Sequence, residues 1–154
     1  MLFTYDWEAV CTEVETLEKM KAWDAVEREV SMNVLSSTST FKCKRYPDGL
    51  IKKFKARLCV RGDQQIEGVG YFEIYALVVM WTNIHLMLIL ECLLDLKAKQ
   101  WNVNCAFLYA HLSEEETLYL YMLQGFTQHD KKGRAKVLKL KQCLYGSKNS
   151  PRTF

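Results

Sequence analysis

Proline is scarce in this sequence, with two residues among 154, and no low-complexity run occurs. The chain therefore lacks the composition of a flexible linker or a disordered tail. Its 49% hydrophobic and 25% charged content is that of a globular protein. We find no internal repeat, and the length suits one domain or part of a larger one.

Closely spaced metal ligands are also missing. Six cysteines and three histidines are scattered without a C-x-x-C pair, which excludes an ordinary zinc site or a disulfide framework. The spacing predicts mostly buried free thiols in a reducing compartment. The first residues show no secretory signal, so we expect an intracellular protein of the cytoplasm or nucleus, not a secreted one.

One apolar stretch, residues 75–94, is about as long as a membrane-spanning helix. It is interrupted by Thr82, Asn83, His85 and Glu91. Two ionisable side chains inside a single span are costly without partner helices. The pattern therefore favours a buried helix of a soluble protein, from about Val79 to Leu96, over a membrane anchor.

The net charge of +3 is unevenly distributed. Residues 1–40 carry three Lys/Arg against eight Asp/Glu, whereas residues 41–154 carry 18 against 10. A basic body behind an acidic head is compatible with a polyanionic partner. An ordinary solvated surface explains the charge equally well.

The most strongly patterned segment runs from Lys42 to Arg61. Apolar and basic residues alternate on both sides of the turn sequence Pro47-Asp48-Gly49, and the segment holds eight Lys/Arg against one Asp. This pattern predicts a two-stranded hairpin with one apolar face and one basic face.

The other elements follow from periodicity. Residues 6–21 predict an amphipathic helix capped by Asp6, and the hydroxyl cluster at 36–40 predicts a loop or a turn into a strand. Residues 62–70 predict a polar loop, 100–107 a strand, 118–122 a β-rich segment, 129–134 a turn and 136–141 a further strand. The order helix, hairpin, helix, strand, hairpin predicts an α+β fold.

Five groups of residues form motifs in a fixed order. They are Lys55-Ala56-Arg57-Leu58 with Val60-Arg61-Gly62; Tyr71-Phe72-Glu73 with Ala76 and Val78-Val79; Asn102-Val103-Asn104-Cys105-Ala106-Phe107-Leu108; the acidic triplet at 114–116 through Gly125-Phe126; and residues 138–152, which include Leu144-Tyr145-Gly146 and Ser150-Pro151-Arg152. Together they resemble the reverse transcriptase domain of copia-type retrotransposon Pol polyproteins. The corresponding family motifs are KARLVARG, an APVV run, DVKTAFL, a segment ending in PEGF, and LKKALYGLKQAPRAW.

The resemblance implies the fingers and part of the palm of a right-hand polymerase, without the later palm strands. Under this interpretation residues 1–40 are an acidic helical lead-in. Residues 41–99 hold a fingers-like hairpin and helix, and residues 100–154 are partial palm and fingers.

The resemblance also implies where the chemistry departs from the family. Active members hold two Mg²⁺ ions, about 3.5–4 Å apart, with one aspartate at the start of DVKTAFL and a later Tyr-x-Asp-Asp pair. This sequence has Asn102 at the first position and contains no Asp-Asp pair. A neutral amide is a poorer ligand for Mg²⁺ than a carboxylate. We therefore expect no metal cofactor for this chain and no polymerisation by it alone.

The other motif positions imply a nucleotide or template site. The candidate residues are Lys55, Arg57, Arg61, Phe107, Tyr145, Gly146 and Lys148. Arginine suits phosphate oxygens because its planar group can bind two at once. The alternatives are a solvated strand face for the basic residues, an ordinary core role for Phe107 and a plain turn for Gly146.

Three functions remain open at this point. The first is a catalytically inactive polymerase remnant that still binds an RNA or DNA template-primer through the basic hairpin. The second is an active enzyme to which this chain contributes only part. The third is a non-catalytic module that binds a partner or self-associates through an exposed palm strand edge, or else an untranslated pseudogene-like fragment.

Overall fold

The computed structural model describes residues 2–74, 78–113 and 116–150, with side chains from Trp7 onward. The elements are α1 (Leu2–Lys19), β1 (Trp23–Val26), β2 (Val34–Leu35), β3 (Ser37–Arg45), β4 (Ile51–Val60), α2 (Trp81–Leu93), β5 (Tyr119–Tyr121) and β6 (Val137–Leu140). Two 3₁₀ helices span Gly62–Gln64 and Ala106–Tyr109. The motif residues Ala76, Glu114, Glu115, Pro151 and Arg152 lie outside the described residues.

The predicted N-terminal helix is confirmed as α1, which packs along β4. Its inner face buries Val14 and Leu17, while Glu15 and Glu18 on the other face are exposed. The helix begins at Leu2, so Asp6 lies within it and is not its N-cap, which corrects the predicted boundary. Apolar periodicity located the helix but not its first turn.

The predicted hairpin is confirmed as β3 and β4, which pair antiparallel around the turn at 47–49. Its apolar face is buried at Ala56, Leu58 and Val60, near the base of the hairpin. Toward the turn, Phe41 remains 52% exposed, and a cavity of about 420 Å³ lies between the first half of α1 and residues 51–54. The hairpin is therefore anchored at its base, and its tip extends into solvent.

The second sheet has four strands in the order β1-β6-β5-β2. Only the β5–β2 pair is parallel. Strands β5 and β6 were predicted, whereas β1 and β2 were missed. The sheet joins residues from the first forty positions to residues beyond 118, so the two ends of the chain fold together.

Leucines dominate the core that lies between this sheet, the base of the hairpin and the end of α1. The buried cluster consists of Leu17, Ala22, Leu35, Leu58, Val60, Leu108, Leu118, Leu120, Leu138, Leu140 and Leu144. Alternation along β6 explains its contribution, because Leu138 and Leu140 are buried while Lys139 is exposed. The four-stranded sheet and the hairpin thus share one hydrophobic core.

The apolar segment does form a helix, α2, but the prediction that it is buried is wrong. None of its residues is buried, and Trp81 and Met87 are 75% and 67% exposed. The helix is apolar on every side, which is typical of a helix enclosed on all faces, and the described residues provide no such enclosure. Among them, no helix combines the length and apolar character needed to cross a membrane.

The strand predicted at 100–107 is also wrong. Residues 100–103 are irregular with Trp101 and Val103 exposed, and Cys105 adopts a left-handed conformation (φ 54°) before the 3₁₀ helix at Ala106–Tyr109. No described strand lies beside this segment, and an unpaired strand leaves its backbone groups without partners. Alternating side chains alone were not sufficient to fix a strand here.

A close backbone contact fixes residues 143–150 against the base of the hairpin. The Val60 N–H donates to the Tyr145 carbonyl oxygen at 2.7 Å. A Cβ added to Gly62 would collide with the Gly146 carbonyl oxygen, and one added to Gly146 would collide with the Val60 carbonyl oxygen. Gly146 also has φ +84°, a backbone conformation that residues with a side chain rarely adopt. Only glycine allows the two segments to approach this closely.

We expect Gly146→Ala to destabilise the fold more than Gly133→Ala does. Gly133 has a similar φ of +76° but nothing within 4 Å of an added Cβ, so it controls for conformational strain. Both variants should lose about 1–2 kcal/mol from positive φ, and Gly146→Ala about 1–3 kcal/mol more from the collision. Urea unfolding measures the difference, and equal losses would contradict the close contact.

Candidate nucleic-acid interface

Five basic side chains lie on one face of the hairpin. The strand register places Lys42 directly opposite Lys55 and Lys44 directly opposite Lys53, with Arg57 next along β4. Like charges in directly opposed positions repel each other. Among the described residues, none of the five forms a salt bridge. This basic face (Lys42, Lys44, Lys53, Lys55 and Arg57) is therefore not neutralised by ion pairs within that part of the chain.

At the base of the hairpin the basic face meets two aromatic rings. The Arg57 guanidinium lies 5.1 Å from the centroid of the Tyr145 ring, a cation–π distance. The Phe107 ring meets Tyr145 edge-on, with centroids 5.3 Å apart and an interplanar angle of 82°. Three predicted site residues from three distant segments thus form one contiguous group, which we call the aromatic–arginine cluster.

Lys148 is held by other contacts than those of the aromatic–arginine cluster. Its Nζ is 4.1 Å from the centroid of the Tyr71 ring, and its backbone N–H donates to Gln65 Oε1 at 2.7 Å. The buried Gln65 amide also donates to Asn149 Oδ1 at 2.8 Å and to the Gly70 carbonyl oxygen at 3.0 Å. Three hydrogen bonds on one buried side chain hold the loop at 62–70 against the segment that carries Lys148.

Arg61 is paired with its neighbour, unlike the residues of the basic face. Its Nη2 and Nε donate to the Asp63 carboxylate at 2.6 and 3.1 Å. This hydrogen-bonded ion pair lowers the pKa of Asp63 and raises that of Arg61. A phosphate would have to compete with Asp63 for this guanidinium, whereas Arg57 forms no salt bridge among the described residues.

An acidic residue of α1, Glu13, lies near the basic face. Partial burial raises the pKa of Glu13 above its ordinary value, although a hydrogen bond from the Leu58 backbone N–H and the charges of Lys55 and Arg57 act in the opposite direction. Burial therefore has the larger effect. The carboxylate places one negative charge close to two members of the basic face.

Asn102 stands apart from this arrangement. It is exposed on the irregular segment, and its one hydrogen bond among the described residues joins its Nδ2 to Asn104 Oδ1 at 3.4 Å. Within the same described residues, no group of three His, Cys, Asp or Glu side chains could hold a metal ion. The amide side chain at this position offers Mg²⁺ an oxygen ligand without negative charge.

Residue spacing alone could not have revealed several contributors to the site. Glu13, Gln65 and Asn149 act through contacts between segments distant in sequence. Glu13 and Gln65 lie outside the five motifs, and Asn149 lies within residues 138–152 but was not a candidate site residue. Gly62 and Tyr71 belong to the family-like motifs, but their roles beneath Gly146 and Lys148 depend on the fold. Motif resemblance identified the cluster residues, whereas their support became visible only in three dimensions.

Comparison with known proteins gives consistent results. A family model described as "Reverse transcriptase (RNA-dependent DNA polymerase)" matches residues 20–154. The chain is 37% identical over 147 residues to the Retrovirus-related Pol polyprotein from transposon TNT 1-94 of Nicotiana tabacum. It is 31% and 28% identical to those from transposons RE1 and RE2 of Arabidopsis thaliana, over 133 and 148 residues.

These matches cover 96%, 86% and 96% of this chain but 11%, 9% and 10% of the relatives, so the chain spans about a tenth of their length. No solved structure matches it. The family model covers most of the chain, and the predicted resemblance to copia-type retrotransposon Pol polyproteins is confirmed. The chain belongs to the reverse transcriptase (RNA-dependent DNA polymerase) family of retrotransposon Pol polyproteins.

Proposed function

We propose that this chain is a nucleic-acid-binding segment of a retrotransposon reverse transcriptase and does not polymerise by itself. Its basic face holds the phosphates of an RNA–DNA primer–template, and the aromatic–arginine cluster holds a phosphate at the base of the hairpin. The observation that carries this proposal is the register itself, which places Lys42 against Lys55 and Lys44 against Lys53, with no acidic ion-pair partner among the described residues.

A phosphate backbone suits this arrangement for two reasons. Opposed lysines repel each other, and an anion placed between them replaces repulsion with attraction. Arg57 adds a planar donor group that can bind two phosphate oxygens at once. A solvated strand face needs neither the charge pairing nor a guanidinium held against an aromatic ring, which is why we favour a polyanion partner.

The proposed absence of polymerisation rests on Asn102. Nucleotidyl transfer in this family uses two Mg²⁺ ions, and their charge is offset by carboxylates. The side chain at 102 is neutral, and it donates a hydrogen bond to another amide, that of Asn104. This chain would therefore bind its substrate without activating the primer hydroxyl.

Helix α2 favours a second candidate, an interaction module. Its exposed apolar side chains include Leu86, Met87 and Leu93, at 55%, 67% and 74% exposure. A contiguous apolar surface of this kind is typical of a protein contact. Self-association was predicted through the edge of a palm strand at 100–107, but the structure has no strand there. The exposed apolar side chains of α2 are therefore the surface that such a contact would use.

Binding of a labelled RNA–DNA primer–template at several salt concentrations tests the proposal. We expect the wild-type chain to bind at low salt with affinity that falls steeply as salt rises. The double variant Lys42→Gln/Lys55→Gln should bind more weakly to every sequence. Its salt slope should also be shallower, by about 0.7–0.9 for each phosphate that the variant no longer neutralises.

The matched control is Lys131→Gln/Lys132→Gln, which removes the same charge from an exposed turn away from the hairpin. Equal losses in both double variants would mean that net charge alone determines binding. No binding at low salt, together with concentration-dependent self-association in sedimentation, would favour the interaction module.

Replacing Glu13 should strengthen binding. We expect Glu13→Gln to tighten primer–template binding about twofold or more at low salt, because a negative charge beside Lys55 and Arg57 is removed. Glu15→Gln, an exposed position on the same helix, is the control and should have a smaller effect. Burial raises the pKa of Glu13, so the wild-type carboxyl becomes neutral as the pH falls through that raised pKa. Below it, the wild type and Glu13→Gln should bind the primer–template equally well.

A carboxylate at position 102 should not restore polymerisation. We expect no Mg²⁺-dependent primer extension by the 154-residue Asn102→Asp chain, because one added carboxylate does not supply the ligands of a two-metal site. A primer-extension assay run on the same samples as the binding experiment provides the measurement. Extension by this variant would overturn the proposed account of position 102.

A further inference from the structure

Arg57 is held by an aromatic ring and not by an ion pair. Its side chain is exposed, and among the described residues it forms no salt bridge, although the charge of Glu13 acts on it from α1. A long cationic side chain on an exposed strand samples many rotamers unless something restrains it. The contact that the structure gives its guanidinium is the face of Tyr145, 5.1 Å away.

Tyr145, in contrast, is fixed from several directions. Its carbonyl oxygen accepts the Val60 N–H at 2.7 Å, and its backbone forms a bridge with Cys59. The Phe107 ring packs nearly perpendicular to its ring, and the close packing of Gly146 fixes the next residue. No hydrogen bond of the Tyr145 hydroxyl occurs among the described residues, and the contacts of this side chain there are those of its ring.

We propose that Tyr145 is a positioning residue that holds the Arg57 guanidinium in place for a phosphate group. This inference rests on the proposed function, because it assumes that Arg57 meets a phosphate. The ring presents its negative face to the cation and leaves the N–H edges of the guanidinium free to donate to phosphate oxygens. A preorganised arginine loses less conformational entropy on binding than a mobile one.

Tyr145→Leu should weaken primer–template binding about two- to fivefold, the range expected from an exposed cation–π contact. Tyr145→Phe retains the ring and should bind like the wild type. Tyr121→Leu is the matched control, because Tyr121 also lies beneath an arginine, Arg28 at 5.2 Å, and lines a cavity with Phe41, whose side chain belongs to the apolar face of the hairpin. We expect its affinity to be unchanged.

A double variant separates positioning from direct contact. In an Arg57→Gln background, Tyr145→Leu should cause no further loss, because there is no guanidinium left to position. An additive loss would show that the ring contacts the nucleic acid itself and would overturn the proposal. Weakening by Arg57→Gln with no effect of Tyr145→Leu would overturn it as well, while leaving the proposed function intact.

Two further measurements keep the inference testable under other outcomes. If Tyr145→Leu does not fold, trifluorophenylalanine at position 145 weakens the cation–π contact at nearly constant shape and should weaken binding. If the wild type binds no nucleic acid, the proposed function fails, and ¹⁵N relaxation of Arg57 Nε then tests the positioning. We expect greater Nε mobility in Tyr145→Leu than in Tyr145→Phe, and equal mobility would overturn the inference.

Discussion

The contact between the backbones at Gly62 and Gly146 is the constraint on which the rest of the site depends. It allows the segment that follows the core residue Leu144 to lie directly against the end of β4. Tyr145 then reaches Arg57 and Phe107, and three residues later Lys148 reaches the ring of Tyr71. The hydrogen bonds of the buried Gln65 close the same junction from within.

This junction divides the molecule into a firmly packed centre and poorly covered extremities. The leucine core, the base of the hairpin and the four-stranded sheet share one buried cluster. The tip of the hairpin and α2 lie beyond it, with Phe41 and Trp81 largely exposed. Few buried contacts hold these two regions, and regions of this kind open at lower free energy than a packed core does.

The parts of the fold that could be predicted are those whose local sequence pattern is distinctive. Alternation gave the hairpin and β6, helical spacing gave α1, and a long apolar run gave α2. The burial of α2 and the strand at 100–107 were wrong because burial and pairing depend on what lies beside a segment. Resemblance supplied Arg57, Phe107 and Tyr145 as candidates, but their mutual contacts, and the nearby Glu13, follow from docking of distant segments that no spacing encodes.

The opposed lysines make the stability of the hairpin depend on the charges around it. Each opposed lysine pair destabilises the isolated hairpin, and among the described residues no salt bridge to an acidic side chain offsets this repulsion. An anion that binds the paired strands removes the repulsion and therefore favours the folded hairpin over its opened forms. Glu13 partly performs this task from α1, at the expense of burying a carboxylate. Glu13 acts on Lys55 and Arg57, whereas a polyanion lying along the hairpin would also place negative charge beside the opposed pair Lys44 and Lys53.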